Sequence, residues 1–339
     1  MTTANPALSV RQLEVRYPLA SGFLGKRREL LAVDKVDLDV YPGEVLGLVG
    51  ESGCGKSSLG KAIIRLVQPS GGAVRVLGED FLGLRGSSLR RARARVQMVF
   101  QDPYGSLNPR MTVGDLLAEP LAVHGLSSWD DAARIHRVLD QVGLPRTALA
   151  KYPHEFSGGQ RQRIAIARAL ILDPQVVIAD EPVSSLDVSV QAQILNLLKA
   201  IQKERNLALL FVSHNLAVVR YLADRVAVMY LGRVVETGPV ARIFESPEHP
   251  YTRALLASVP IPDPKLARAR KHQALEGELP SPAERQNGCA FASRCPIVTE
   301  RCRIAVPQLA TLRGDAAHRV RCIAAATVDA TAADASSVG

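Results

Sequence analysis

Residues 50–57, Gly-Glu-Ser-Gly-Cys-Gly-Lys-Ser, constrain the fold more than any other stretch of the chain. They follow Glu44–Val49, which reads as a buried strand, and precede a helix that starts near Lys56. Gly50, Gly53 and Gly55 let successive backbone amides, including those of Glu51, Ser52 and Cys54, turn inward around an anion with no Cβ in the way. Lys56 is placed to reach the β- and γ-phosphates of a nucleoside triphosphate, and the Ser57 hydroxyl to ligate Mg²⁺, with Ser58 beside it. The helix that follows points its positive end at the same anion. By itself the motif predicts nucleotide binding and nothing narrower.

A second motif supplies carboxylates. Val176–Ala179 has the all-apolar character of a strand buried on both faces, and it runs into Asp180-Glu181. An acid at the C-terminal end of such a strand faces the phosphate loop and can hold Mg²⁺, which assigns Asp180 to the metal and Glu181 to an attacking water. Leu207–Val212 is a second run of the same kind, with His214 just beyond it and a predicted helix, Val188–Arg205, between the two.

The remaining periodicity sorts into blocks. Residues 1–100 read as mostly β, with an edge strand at Ser9–Tyr17, a basic loop at Ser21–Glu29, and strands at Val33–Val40, Gly72–Leu77 and Val96–Phe100. From about 102 to 172 the pattern is helical: Val113–His124, Asp130–Val142 and Gly158–Leu172. Arg225–Thr237 reads as a hairpin turning at Leu231-Gly232. Beyond Glu245 prolines multiply, at 247, 250, 260, 262, 264, 280 and 282, which predicts an extended appendage over 246–327 and a disordered tail over 328–339.

One further glycine-rich helix start, Ser157-Gly158-Gly159-Gln160, lies ahead of Asp180 and has no phosphate loop of its own. Here the sequence resembles the ATP-binding subunits of ABC transporters, and the resemblance covers roughly residues 8–325. It implies an α/β fold: a P-loop NTPase core of RecA type over residues 1–245, with an antiparallel β subdomain and a helical subdomain, plus the small cysteine-containing C-terminal appendage. In that family Ser157–Gln160 of one subunit closes over the γ-phosphate held by the other, so that ATP is sandwiched in a dimer. Tyr17 matches the aromatic that stacks on adenine, Gln101 the glutamine that contacts Mg²⁺ and water, Asp187 the loop at the dimer interface, and His214 the histidine that contacts the γ-phosphate. Lys56, Glu181 and His214 are then the catalytic set.

Val99–Arg110, Ser246–Arg253 and Leu275–Pro282 look like the dipeptide and oligopeptide importer ATPases in particular. That likeness implies a second, different ATPase chain, two permease membrane subunits docking near Gln101–Arg110, and an extracytoplasmic solute-binding protein. Relatives of this group move nickel or glutathione instead.

Composition narrows the classes. No apolar run approaches the roughly 20 residues that span a bilayer, and the N-terminus lacks the basic and apolar regions of a secretory leader. A soluble cytosolic protein is expected, and the resemblance implies a place at the cytoplasmic face of the inner membrane, peripheral to it. Lys and Arg exceed Asp and Glu by 42 to 33, but the excess is scattered Arg in short clusters (Arg90–Arg95, Arg268–Lys271), so a nucleic-acid partner is not expected. Four of the five cysteines fall in the appendage, as Cys289-x5-Cys295-Pro296, x6-Cys302 and x19-Cys322. In a reducing compartment they read as metal ligands rather than disulfides. The Cys-Pro step, the absence of a C-x2-C knuckle and the resemblance to importer ATPases that can carry a 4Fe-4S cluster in this tail together favour iron–sulfur, with zinc, or unliganded or disulfide-bonded cysteines, as the alternatives. Such a staple would stabilise a segment poor in apolar residues rather than act on ATP.

Overall fold

The computed structural model describes residues 5–19, 28–128, 130–258, 288–312 and 314–325. The loop expected at 21–29 for the most part, the Arg268–Lys271 cluster, the Leu275–Pro282 stretch and the tail at 328–339 lie outside the described residues.

The chain begins with two long antiparallel strands, β1 (Leu8–Leu19) and β2 (Arg28–Val40), followed by β3 (Val45–Val49), helix α1 (Lys56–Ile63), β4 (Gly71–Val76) and β5 (Glu79–Asp80). A four-stranded antiparallel sheet has the order β2-β1-β4-β5, so β1 is interior and not the edge strand its sequence suggested. The reason lies in its register: Leu8–Val10 pairs with Leu38–Val40 on one side and Val74–Val76 on the other.

The helical block follows as α2 (Gly86–Arg95), β6 (Val96–Val99), α3 (Pro103–Ser106), α4 (Val113–His124), α5 (Asp131–Val142) and α6 (Gly158–Leu170). Thr112 starts α4 with a reciprocal capping box to Asp115, and Gly125 ends it in the left-handed conformation. The last third alternates strands and helices: β7 (Val176–Asp180), α7 (Val188–Glu204), β8 (Ala208–Ser213), α8 (Leu216–Leu222), β9 (Arg225–Tyr230), β10 (Arg233–Pro239), α9 (Val240–Glu245) and α10 (Pro250–Ala257). Beyond the residues outside the description come α11 (Glu300–Ile304), β11 (Ala310–Leu312) and β12 (Asp315–Val320).

The second sheet has eight strands in the order β11-β12-β10-β9-β3-β8-β7-β6. From β9 to β6 neighbouring strands run parallel. Parallel strands bury both faces, which is why β3, β7 and β8 are apolar almost throughout and wholly buried. Leu209 and Phe211 of β8 enter one core with the helical block, while Leu210 and Val212 enter another with the antiparallel sheet. Each buried Leu or Val contributes on the order of 1.5–3 kcal/mol, and this two-sided burial fixes the strand ends on which the polar residues sit. The C-terminal segment does not stay apart from this sheet. Glu236 and Thr237 of β10 pair with Val320 and Arg319 of β12, extending it.

Candidate active site

The loop after β3 has little conformational choice. Gly55 takes φ +107°, and a Cβ there would stand 2.1 Å from the carbonyl oxygen of Ala32. Lys56 is buried, and its Nζ donates to the carbonyl oxygens of Gly50 at 2.8 Å and Glu51 at 2.9 Å. The ammonium therefore lies along the concave face of the loop, where an anion would be received. Cys54 is buried beneath it, its thiol pushed up in pKa by burial.

Asp180 closes β7, and the Ser57 hydroxyl donates to its Oδ1 at 2.9 Å. Burial raises the Asp180 pKa; the hydrogen bond from Ser57 opposes this and the charge of Glu181 adds to it. A desolvated carboxylate and a hydroxyl in contact form a donor set that a divalent cation would relieve of its burial penalty, so the residues fit Mg²⁺. Ser57, Asp180 and Gln101 line the same cleft, together with Lys61 and Asp102.

Glu181 carries the one positive φ in this acidic pair, +46°. Its N–H donates to Val212 on β8 at 2.9 Å, which holds the strained backbone in place. Its side chain is met from two directions. Gln101 Nε2 donates to Glu181 Oε2 at 3.0 Å, and His214 Nδ1 lies 3.1 Å from the same oxygen. Gln101 and His214 thus converge on one carboxylate oxygen of Glu181, beside Asp180. Tyr17 Oη donates to Ser58 Oγ at 3.2 Å, which brings the ring to the edge of α1 next to the loop.

Together these contacts place the Gly50–Ser57 loop, the Ser57–Asp180 contact and the Glu181 carboxylate along one sheet edge. Comparison with known proteins gives the family. The ABC transporter family model matches residues 33–184, and the model of the oligopeptide/dipeptide transporter C-terminal region matches residues 235–302. The oligopeptide transport ATP-binding protein OppF of Salmonella typhimurium is 50% identical over 321 residues, covering 93% of this chain and 95% of the relative. The chain belongs to the ATP-binding proteins of ABC peptide transporters. OppF of Escherichia coli is 49% identical over 321 residues, with 93% and 95% covered. A probable peptide ABC transporter ATP-binding protein of Sinorhizobium fredii is 51% identical over 324 residues, with 94% and 91% covered. Among solved structures, the dimeric post-hydrolysis state of the ATP-binding cassette MJ0796 with ADP and Pi superposes at a TM-score of 0.61 and 26% identity, covering 69% of this chain and 98% of that one.

The ABC signature residues are built differently from the phosphate loop. Ser157 caps α6: its Oγ accepts from the Gln160 N–H at 3.3 Å while its own N–H donates to Gln160 Oε1 at 3.0 Å. Gly159 presses on α7, where a Cβ would meet Val190 Cγ1 at 2.4 Å. Among the described residues no hydrogen bond joins Ser157–Gln160 to the phosphate loop of the same chain. Asp187 caps α7 by accepting from Val190 N–H at 3.0 Å and Ser189 Oγ at 2.7 Å, which lowers its pKa. No helix among the described residues is long and apolar enough to cross a membrane.

All five cysteines are free thiols. Cys289 N–H donates to the Cys302 carbonyl oxygen at 2.8 Å, folding the two ends of that segment together. Burial raises the thiol pKa of Cys289 and Cys295, and that of Cys322 to about 11. The charges of Cys295 and Cys302 add to the rise at Cys289, and those of Cys289 and Cys295 to the rise at Cys322, so the four lie in one neighbourhood. Among the described residues no three His, Cys, Asp or Glu side chains are set to hold a metal ion.

Proposed function

We propose that this chain hydrolyses ATP at the cytoplasmic face of a membrane to power the import of dipeptides or oligopeptides, as one half of an ATP-sandwich pair with a second ATPase chain. The observation that carries the chemistry is the convergence of Gln101 and His214 on Glu181 Oε2 next to the Ser57–Asp180 contact.

In this reading Lys56 and the loop amides bind the β- and γ-phosphates, except the Glu51 N–H, which was expected to turn inward but donates to Tyr251 Oη; Tyr17 stacks on adenine. Ser57, Asp180 and Gln101 hold Mg²⁺, which neutralises charge developing on the transferred phosphoryl. Glu181 accepts the proton of the attacking water, with its carboxylate oriented by Gln101 and His214. Ser157–Gly159 approach the γ-phosphate from the partner chain, at a helix N-terminus whose positive end suits an anion. Asp187 stands at the dimer loop.

The groove lined by Leu66, Phe100, Glu119, Val123 and Arg168 suits a permease helix, since Leu66 and Val123 are exposed apolar residues beside the 101–110 stretch. An extracytoplasmic solute-binding protein would select the peptide. The relatives named above are ATP-binding proteins of oligopeptide or peptide transport, which favours peptide over nickel or glutathione.

For the four appendage cysteines we propose a 4Fe-4S cluster. Four soft donors share one neighbourhood, and buried neutral thiols gain from conversion to metal-bound thiolates. The Cys295-Pro296 step and the lack of a C-x2-C knuckle favour the cluster over zinc.

Reconstitution with the cognate permeases and binding protein in proteoliposomes tests the whole reading. ATP-dependent uptake of a labelled tripeptide, abolished by Glu181→Gln in this chain, is the expected result. Uptake of Ni²⁺ or glutathione but not of peptides would overturn the substrate class, and uptake indifferent to Glu181→Gln would overturn the catalytic assignment.

A further inference from the structure

Among the described residues, Tyr251 and Arg294 of the C-terminal segment reach the phosphate loop at Glu51. The Glu51 N–H donates to Tyr251 Oη at 2.9 Å. Its carboxylate takes both arms of the Arg294 guanidinium, Nη1 to Oε2 at 2.8 Å and Nη2 to Oε1 at 3.2 Å. This is the fork-to-fork geometry in which an arginine fixes a carboxylate in direction as well as charge. The Arg294 side chain is only 5% exposed, so the pair is little screened by solvent.

Neither partner is a loose surface group. Tyr251 is wholly buried in α10 and packs its ring against Tyr230, at the end of β9, with centroids 4.6 Å apart. Phe291 closes the cluster at 5.3 Å from Tyr230 and 5.5 Å from Tyr251. Arg294 lies over the Tyr230 ring at 6.0 Å. It ends the tight turn Ala292–Arg294, immediately before Cys295, so the fold that orders the cysteine-bearing segment also aims the guanidinium.

A carboxylate on the second residue of a phosphate-binding loop is an electrostatic liability. At a few ångströms an uncompensated negative charge opposes a polyphosphate, and low local dielectric magnifies the effect. We propose that Arg294 and Tyr251 are positioning residues for ATP: they neutralise and pin Glu51, and so make nucleotide affinity depend on the folded C-terminal segment. The proposal rests on the assignment of Gly50–Ser57 as the phosphate loop.

The test is a set of full-length variants titrated with a fluorescent ATP analogue and Mg²⁺, with steady-state hydrolysis measured in the assembled transporter. Lys56→Ala controls the underlying assignment, and ATP affinity unchanged in that variant overturns the phosphate-loop reading itself. Given its loss there, Arg294→Met should weaken binding about tenfold or more, the scale of a charged bidentate hydrogen bond. The loss should fall on KM for ATP rather than on kcat at saturation, and Arg294→Lys should recover part of it. The deciding variant is Glu51→Gln/Arg294→Met, which removes both charges and avoids a lone buried ion if the single variant folds poorly. Its affinity should match Glu51→Gln alone. A double variant as weak as Arg294→Met, or an Arg294→Met variant that binds ATP like the wild type, overturns the proposal.

Discussion

His214 Nδ1 stands 3.1 Å from Glu181 Oε2, the oxygen that already accepts the Gln101 amide at 3.0 Å. Both contacts thus fall on a single oxygen of the Glu181 carboxylate. Gln101 reaches it from beyond β6 and His214 from beyond β8, the strands on either side of β7, which ends in Asp180. Release of that oxygen requires both neighbours to move. The positive φ of Glu181, held by its N–H to Val212, keeps the backbone from following.

Glu181→Gln preserves size and the contact with Gln101 while removing the base. Turnover should fall by roughly 10² or more, while Mg²⁺-ATP still binds and the dimer accumulates in its closed form. Single-turnover hydrolysis and size-exclusion chromatography in ATP read the two effects. Near wild-type turnover would remove Glu181 from the proton transfer.

Ser157→Arg tests the action of the signature in trans. The bulky cation replaces the cap of α6, a loss worth about 1 kcal/mol in itself, and should block closure over the partner's nucleotide. In a complex of two distinct ATPases, photolabelling with azido-ATP should show the site whose lysine belongs to the partner as the one that stops turning over. Crosslinking of position 157 to Lys56 within one chain would contradict the sandwich.

Most of this site was legible because its parts are contiguous. Gly50–Ser57, Asp180-Glu181 and Ser157–Gln160 each declare their chemistry within a few residues, and two-sided burial marks the strands that carry them. Pairings between distant positions leave no such trace. The register of Glu236 with Val320, which joins the C-terminal segment to the main sheet, has no local periodicity to announce it. The bond from Arg294 to Glu51 spans 243 positions. Helix α2 was hidden for another reason: Arg90, Arg91, Arg93 and Arg95 read as scattered charge, whereas only Ala92 of that helix is buried. The interior place of β1 was likewise set by β4, which pairs with it from more than fifty residues away.

Cys302→Ser tests the cluster proposal. Cys302 is 5% exposed, its thiol lies 3.2 Å from Thr299 Oγ1, and its carbonyl holds Cys289. Anaerobically purified wild-type protein should be brown and carry iron and acid-labile sulfide, and the variant should lose both. Its C-terminal segment should also become protease-sensitive, since a metal staple is removed from a part with little core of its own. Colourless wild-type protein containing stoichiometric zinc, or no metal, would reject 4Fe-4S.

Acid should destabilise the protein through His249. Burial holds its imidazole pKa down to about 4, with the charge of Glu236 opposing that shift and those of Arg321 and Arg253 reinforcing it. The neutral ring has structural work: Nδ1 accepts the Tyr251 N–H at 3.1 Å and so caps α10, the helix that carries the Glu51 contact. An unfolded histidine titrates near 6.5. Between about pH 6.5 and 4 the unfolded chain therefore binds a proton that the native state refuses, and stability falls as pH drops through that window. The full effect is on the order of 3 kcal/mol. His249→Asn supplies a capping oxygen without a titrating group. It leaves in place the nearby buried pair of His318 Nε2 with Glu236 Oε1 at 2.7 Å, so that pair acts in both proteins. Thermal denaturation from pH 7.5 to 4.5 should show the midpoint declining less steeply in the variant than in the wild type. Parallel declines in the two would mean that His249 is not the group whose protonation loosens this end of the fold.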